Sequence, residues 1–390
     1  MKAPCLFLFS IAVACILWAC QHSNKHNIAT SEQLISEFER LAETDSMGEA
    51  KKVLHSVLAL NREIADTLRL ANAIYLAART QAVSGNFPLA FEFAREGVEL
   101  SRPANMPEVE YKLNNILIWS SFEMHRGLEE ILQREKRQVQ LVQQLDREEY
   151  TAGVYNNYGY DLTVAGTLPL SEALQYLAAS NVYYAKQEGH EGLWYTLMNL
   201  TWIYRLMGDL DHSITRGRQA VAQAIKDNDR HAIIEACTNL AETYLELGQP
   251  DLAGPLYELA LPWSQQEPDR DKYVFDVYHA HYLGAMGQQA QAIEVLEAAV
   301  EYLKTGEVFY EMLGRFHLAQ IYGRAGQTDK VKEQIQFIRN PRYDYVSFEV
   351  KALAEKLAAT YGMDNDLASA LANAERIGAG LLVAKLKAPE

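Results

Sequence analysis

The chain has 390 residues, and 49% of them are apolar, which is enough to bury a continuous core. The formal net charge of −15 argues against a nucleic acid or an anionic lipid surface as the partner, because both bind basic patches. Cys237 is the only cysteine beyond residue 20, so the body of the chain holds no pair that could form an internal disulfide.

Residues 1–19 have the features of a secretory signal. Lys2 gives a positive start, and the apolar run Cys5–Ala19 is too short to span a membrane but matches a signal-peptide core. The run leads into the sequence L-W-A-C, which resembles the bacterial lipobox, although Trp18 stands where a small residue is usual. This resemblance implies that the signal is cleaved before Cys20 and that Cys20 is acylated.

The residues that follow bear on where the mature protein lies. Gln21 follows Cys20, not the Asp that is linked to inner-membrane retention in enteric bacteria, so we expect the outer membrane. No acidic run for surface export follows, which favours the periplasmic face. Residues 20–30 are polar and predict a short tether between the lipid and the folded body.

The predicted repeat body covers residues 31–340. It opens with an amphipathic helix from Ser31 and its partner Met47–Leu60, a degenerate pair of the kind that closes the end of a repeat array. The clearest unit, Ile234–Ala260, presents an apolar-small-aromatic face, then a turn glycine, then an Ala-aromatic-Ala face. These positions are occupied by Leu240, Ala241, Tyr244, Gly248, Ala253, Tyr257 and Ala260.

This unit resembles the tetratricopeptide repeat (TPR), in which small residues let two helix backbones approach closely. Turn glycines recur at intervals of 39 to 42 residues, longer than the usual 34 or so, which predicts helices about one turn longer. They are Gly85, Gly127, Gly166, Gly208, Gly248, Gly287 and Gly326. We therefore predict an all-α protein, a right-handed α-solenoid of about seven or eight TPR-like helix pairs with helical caps at both ends.

Residues 341–390 are predicted as a C-terminal cap. Pro341 stops the last repeat helix, and two further amphipathic helices, Ser347–Tyr361 and Asp366–Ile377, can cover the apolar end of the array. Leu381–Pro389 is predicted as a short apolar-basic tail. Together with a lipobox, such a repeat body resembles the periplasmic and outer-membrane TPR proteins of Bacteroidetes.

Catalytic and cofactor motifs do not stand out in the sequence, so we predict neither an enzyme nor a cofactor. His279 and His281 form the only close histidine pair, and residues two apart on a helix point in different directions, so no metal site is predicted from them.

The stronger signal is a ladder of asparagines. Asn157, Asn199 and Asn239 each precede the apolar-small pair of their repeat, on the helix that lines the concave groove of a TPR array. An Asn side chain offers a donor and an acceptor to a peptide group, and TPR proteins that hold extended peptides use Asn at this position. The same residues could instead bridge adjacent helices. Further groove residues are predicted to be Tyr160, Tyr195, Trp202, Arg205, Glu242 and His281.

We therefore expect a non-enzymatic, lipid-anchored scaffold that binds a partner protein or an extended peptide in its groove. One alternative is an adaptor that senses a small ligand or peptide for an envelope signalling or nutrient-uptake system. A second alternative is a carbohydrate-capture lipoprotein, although the even repeat spacing leaves no room for the large insertions that such proteins carry.

Overall fold

The computed structural model describes residues 27–41, 47–64, 66–187, 192–266, 270–340 and 347–389, and every regular element in these ranges is a helix. The predicted all-α class, with helices packed in successive pairs, is confirmed. In the same ranges no helix is both long and apolar enough to cross a membrane. The predicted signal peptide and the lipidation residue Cys20 lie outside the described residues.

The helices are numbered in chain order from α1, which includes residues 27–41. The others are α2 (Met47–Ile64), α3 (Thr67–Val83), α4 (Phe87–Ser101), α5 (Pro107–Glu123), α6 (Leu128–Leu145), α7 (Glu148–Ala165), α8 (Leu170–Tyr184), α9 (Gly192–Met207), α10 (Leu210–Asp227), α11 (Arg230–Glu246), α12 (Pro250–Ser264), α13 (Arg270–Ala285), α14 (Gln289–Leu303), α15 (Val308–Arg324), α16 (Thr328–Ile338), α17 (Phe348–Thr360), α18 (Leu367–Ile377) and α19 (Gly380–Lys387).

Most consecutive helices pack against each other because their connecting turns reverse the chain. Six of the seven predicted turn glycines have a positive φ, the left-handed conformation that ends a helix and that only Gly adopts without strain. Gly127 is the exception, since it has a φ of −56° and precedes α6. In that repeat His125 takes the left-handed position, 40 residues after Gly85 and 41 before Gly166, so the period is kept by a different residue.

Paired helices pack so closely that small residues are required where the two helices touch. A Cβ atom on Gly159 of α7 would lie 2.8 Å from Leu177 Cγ and 3.0 Å from the Ala173 carbonyl oxygen of α8. Ala241 and Ala253, the small residues of the predicted unit, are fully buried. Cys237 is also buried, and burial raises the pKa of its thiol to about 12, so it behaves as a core residue.

The chain forms two compact units. The first contains the described residues up to Arg126 together with Gln140–Leu145, and its core runs from Phe38 to Leu117. Residues 27–30 are already helical, so they belong to this unit and not to the predicted tether. Ser31 is buried inside the helix, where its hydroxyl accepts a hydrogen bond from Asn61 Nδ2 at 2.8 Å, and this contact explains the earlier start.

The second unit contains Gly127–Val139 and the chain from Asp146 onward. The first helices of its pairs, α7, α9, α11, α13 and α15, pack side by side in chain order. The side chains on one face of this row are therefore brought together, although they come from repeats about 40 residues apart in the sequence.

The C-terminal helices depart from the prediction in one respect. The segment predicted as a tail forms a helix, α19, which packs against α9 and α17. Asn373 and Arg376 of α18 donate hydrogen bonds to the Gly166 carbonyl oxygen, at 3.2 Å each, in the turn that ends α7. These helices therefore contact α16 and also reach across the row of first helices to α7 and α9.

Candidate ligand-binding cavity

A cavity of about 790 Å³ lies in the second unit, between the first helices and the C-terminal helices. One wall is formed by α9, α11, α13 and α15, with Tyr160 of α7 at one side. The opposite wall is formed by α17 and α19, from which Glu349, Lys356 and Lys385 contribute. The volume falls within the range of small-ligand pockets, roughly 300–1,000 Å³.

Most of the groove residues predicted from the sequence line this cavity, and two do not. The lining includes Asn199, Asn239, Tyr160, Trp202, Arg205, Glu242 and His281. Asn157 is exposed to solvent and lies outside the lining. Tyr195 also lies outside the lining, half-buried behind it, where burial raises the pKa of its hydroxyl above the usual value.

The three asparagines do not form one row. Asn199 is buried, and its Nδ2 donates a hydrogen bond to Asn156 Oδ1 of α7 at 3.1 Å. The partner in α7 is therefore Asn156, one residue before the predicted Asn157. Asn199 bridges adjacent first helices, which is the structural role that the sequence left open. Asn239 differs, because it lines the cavity and its buried Oδ1 has no hydrogen-bond partner among the described residues.

An aromatic wall stands beside the asparagines. The ring of Trp202 contacts Tyr160 and Phe309, with ring centroids 5.7 Å and 6.4 Å apart. Its Nε1 donates to Glu349 Oε2 of α17 at 3.3 Å, so α9 and α17 are joined across the cavity. Trp202 is only 7% exposed, and its ring serves as part of the wall and not as an open stacking surface.

Arg205 brings a positive charge to the cavity. Its Nε is buried and has no hydrogen-bond partner in the part of the chain that the structure describes. Burial alone would lower the pKa of its guanidinium, but Glu349, Glu242 and Glu246 raise that pKa above the usual value. Arg205 is therefore held charged by carboxylates around it while a donor nitrogen remains unpaired.

The cavity also holds a polar cluster of three residues, Glu242, His281 and His317. His281 Nδ1 lies 3.0 Å from Glu242 Oε2, and the His281 and His317 rings stack with centroids 4.1 Å apart. Burial would raise the pKa of Glu242, but the charge and hydrogen bond of His281 lower it to about 2. Burial lowers the pKa of His317 to about 3, so His317 is neutral, and its buried Nε2 has no hydrogen-bond partner among the described residues.

Comparison with known proteins adds a family match for one repeat. Residues 234–266, which cover α12 and α11 after its first turn, match the model of the tetratricopeptide repeat family. This segment is a tetratricopeptide repeat. No protein with a curated description matches the chain significantly in sequence.

Solved structures of similar fold cover most of the chain. A Rap protein complexed with Competence and Sporulation Factor is 12% identical, with a TM-score of 0.57 over 92% of this chain and 98% of its own. The quorum sensor NprR from B. thuringiensis is 11% identical, with a TM-score of 0.53 over 91% and 98%. The apo form of RapI is 13% identical, with a TM-score of 0.50 over 78% and 99%. At these identities the likeness shows a shared TPR-like fold.

Proposed function

We propose that the protein is a non-enzymatic binding module that holds a short peptide, or a short segment of a partner protein, in the cavity of its second unit. The observation that carries this proposal is that three residues lining one cavity each hold a buried polar atom without a hydrogen-bond partner among the described residues: Arg205 Nε, Asn239 Oδ1 and His317 Nε2. Buried polar atoms in folded proteins are nearly always paired, so three at one cavity indicate a polar ligand.

The chemistry of these atoms matches a peptide. Asn239 Oδ1 can accept a peptide N–H, and Arg205 can donate to a carbonyl or to a terminal carboxylate. The Trp202 and Phe309 rings supply apolar surface for a side chain. The structures of similar fold include a quorum sensor and a Rap protein bound to Competence and Sporulation Factor, which is consistent with this proposal.

The position of the C-terminal helices favours a short ligand over an extended peptide that runs through an open groove. Glu349 of α17 and Lys385 of α19 form polar contacts with Trp202 and Glu246 on the opposite wall. A ligand is therefore enclosed between two sets of helices, which also favours the alternative of a sensing adaptor. Trp202 is 7% exposed, so its ring offers no open face for stacking on a sugar and gives the carbohydrate alternative no support.

The test compares two isosteric asparagine variants of the full-length chain. Wild type, Asn239→Leu and the control Asn157→Leu are incubated with peptides secreted by the source bacterium, passed through gel filtration and analysed by mass spectrometry. We expect wild type and Asn157→Leu to retain the same peptides and Asn239→Leu to lose them. Of the two substituted asparagines, only Asn239 lines the cavity. Equal retention by all three proteins, or retention by none, would contradict the proposal.

We also propose that acylation of Cys20 anchors the module to the bacterial outer membrane on its periplasmic face, as in the Bacteroidetes proteins that the sequence resembles. The support is the apolar run Cys5–Ala19 followed by L-W-A-C. Labelled palmitate should be incorporated into wild type and not into Cys20→Ser. Incorporation into both would show that Cys20 is not the acylated residue.

A further inference from the structure

Three residues from three different repeats form a cluster with the composition of a metal site. Glu242 lies on α11, His281 on α13 and His317 on α15, and one possible ligand atom from each lies within 4.8 Å of the other two. Glu242 and His317 are each 4% exposed. The sequence did not suggest this group, because its members are 39 and 36 residues apart.

One hydrogen bond gives His317 the tautomer that can bind a metal. Its Nδ1 lies 3.2 Å from Gln320 Oε1, an amide oxygen that can only accept, so Nδ1 carries the proton. The lone pair is then on Nε2, which is buried and has no hydrogen-bond partner among the described residues. Metal-binding histidines are typically held in this way, with one nitrogen donating to a neighbour and the other left to the metal.

The distances within the cluster are close to those of a zinc site. Zinc–ligand bonds of about 2.0–2.1 Å in a tetrahedron separate the ligand atoms by about 3.3 Å. His281 Nδ1 lies 3.1 Å and 3.0 Å from the two carboxylate oxygens of Glu242, so this pair already has the required separation. The ligand atoms of all three residues lie within 4.8 Å of one another, and the His281 and His317 rings are stacked with an interplanar angle of 13°, so one ring must turn for both lone pairs to meet at one ion.

The surroundings determine whether a cation is tolerated. The Tyr257 hydroxyl lies 3.3 Å from Glu242 Oε1 and 3.1 Å from the Tyr278 carbonyl oxygen, so its single hydrogen is shared between these two acceptors. Arg205 and Lys385 are the positive charges nearby, and Lys385 is paired with Glu246 and Glu349. Arg205 faces the carboxylates of Glu349, Glu242 and Glu246. The negative charges therefore outnumber the positive ones around the cluster.

We propose that Glu242, His281 and His317 bind one divalent first-row transition ion, with Zn²⁺ the best match to two imidazole nitrogens and one carboxylate. Both imidazoles bind the ion as neutral ligands and Glu242 binds it as a carboxylate, so the ring nitrogen that holds the ion carries no hydrogen. All three residues line the cavity, so the remaining coordination positions open into it and can accept a ligand oxygen or nitrogen. The metal site does not depend on the proposed peptide, because it is assembled by the protein alone.

The test measures metal binding without any peptide. The tag-free full-length chain is treated with a chelator, dialysed and titrated with Zn²⁺ by calorimetry and with Co²⁺ by visible absorption, whose bands report tetrahedral coordination. We expect one ion per chain, a higher Tm with Zn²⁺, and an affinity loss of about tenfold or more in His317→Gln and in Glu242→Gln.

The matched control is His212→Gln, which removes an exposed histidine that also pairs with a carboxylate, Asp209 Oδ2 at 2.8 Å. This variant should bind as wild type does. Absence of Co²⁺ bands and of Zn²⁺ binding in wild type overturns the proposal, and so does unchanged binding by folded His317→Gln. Loss of binding in His212→Gln would show adventitious surface binding only. None of these outcomes depends on peptide retention, so the two proposals can fail separately.

Discussion

Glu135 and Asp161 are two carboxyl groups buried against each other, on α6 and α7, in the second unit. Burial raises the pKa of Asp161 to about 7, and burial together with the neighbouring Asp161 raises the pKa of Glu135 well above its usual range. Two carboxylate charges so close repel each other, so the pair holds a proton in the folded state near neutral pH.

This pair predicts a pH-dependent stability. Because the folded pKa lies above the unfolded one, the folded state keeps a proton that the unfolded state has lost, and stability falls as the pH rises towards and through about 7. One pKa unit corresponds to about 1.4 kcal/mol, so we expect wild type to lose at least that much between about pH 5 and pH 8. Asp161→Asn should lose less, because only one buried carboxyl group then remains, as measured by urea unfolding at both pH values.

The control is Asp211→Asn, which changes an exposed carboxyl group on α10. It should keep the pH dependence of wild type. The same fall in the free energy of unfolding for wild type and Asp161→Asn would show that the buried pair does not control the pH dependence.

At the scale of elements, α19 shows how tertiary contacts stabilise a helix that is too short to form alone. It has 8 residues, fewer than an isolated helix needs in water. Lys356 of α17 donates hydrogen bonds to the carbonyl oxygens of Lys385 and Ala388, at 2.6 Å and 2.9 Å, and so satisfies the end of α19. These contacts are not visible in the sequence, where the segment is predicted as a tail because it follows two glycines, Gly378 and Gly380.

The start of α19 gives a sharp test of this packing. A Cβ atom on Gly380 would lie 2.6 Å from the Met207 carbonyl oxygen of α9. This oxygen belongs to the backbone, so a side-chain rotation cannot relieve the clash. Gly380→Ala should therefore separate α19 from α9 and increase amide hydrogen exchange in α19 by about tenfold or more, while α11 and α12 keep wild-type exchange.

Gly306→Ala is the control, because a Cβ atom there would have no neighbour within 4 Å. It should leave exchange in α19 unchanged. If Gly380→Ala also exchanges as wild type does, α19 is not held against α9 in solution.

The helix pairs could be predicted from the sequence because they depend on local periodicity. The spacing of glycines and the Ala-rich faces recur in each repeat, and they define the register from Gly166 to Gly326 correctly. Glycine spacing does not define the register where another residue type takes the same position. His125 replaces a glycine at one left-handed turn, and Asn156 rather than Asn157 meets Asn199.

At the scale of the whole molecule, the site depends on contacts between distant segments, and this is what the sequence could not supply. Seven predicted groove residues line the cavity because first helices of successive repeats present equivalent positions to one side. The wall made by α17 and α19 was missed, since nothing in the sequence states that Glu349 meets Trp202, 147 residues away. The same reason hid the cluster of Glu242, His281 and His317, one residue from each of three repeats.

The central claim is that a ligand lies enclosed between the first helices and the C-terminal helices of the second unit. Amide hydrogen exchange of the full-length wild-type protein, with and without the peptide that it retains, tests this most directly. We predict that the peptide slows exchange in α11 and in α19 together, because both walls contact it. Protection of neither wall, or protection confined to helices that do not line the cavity, would contradict the account.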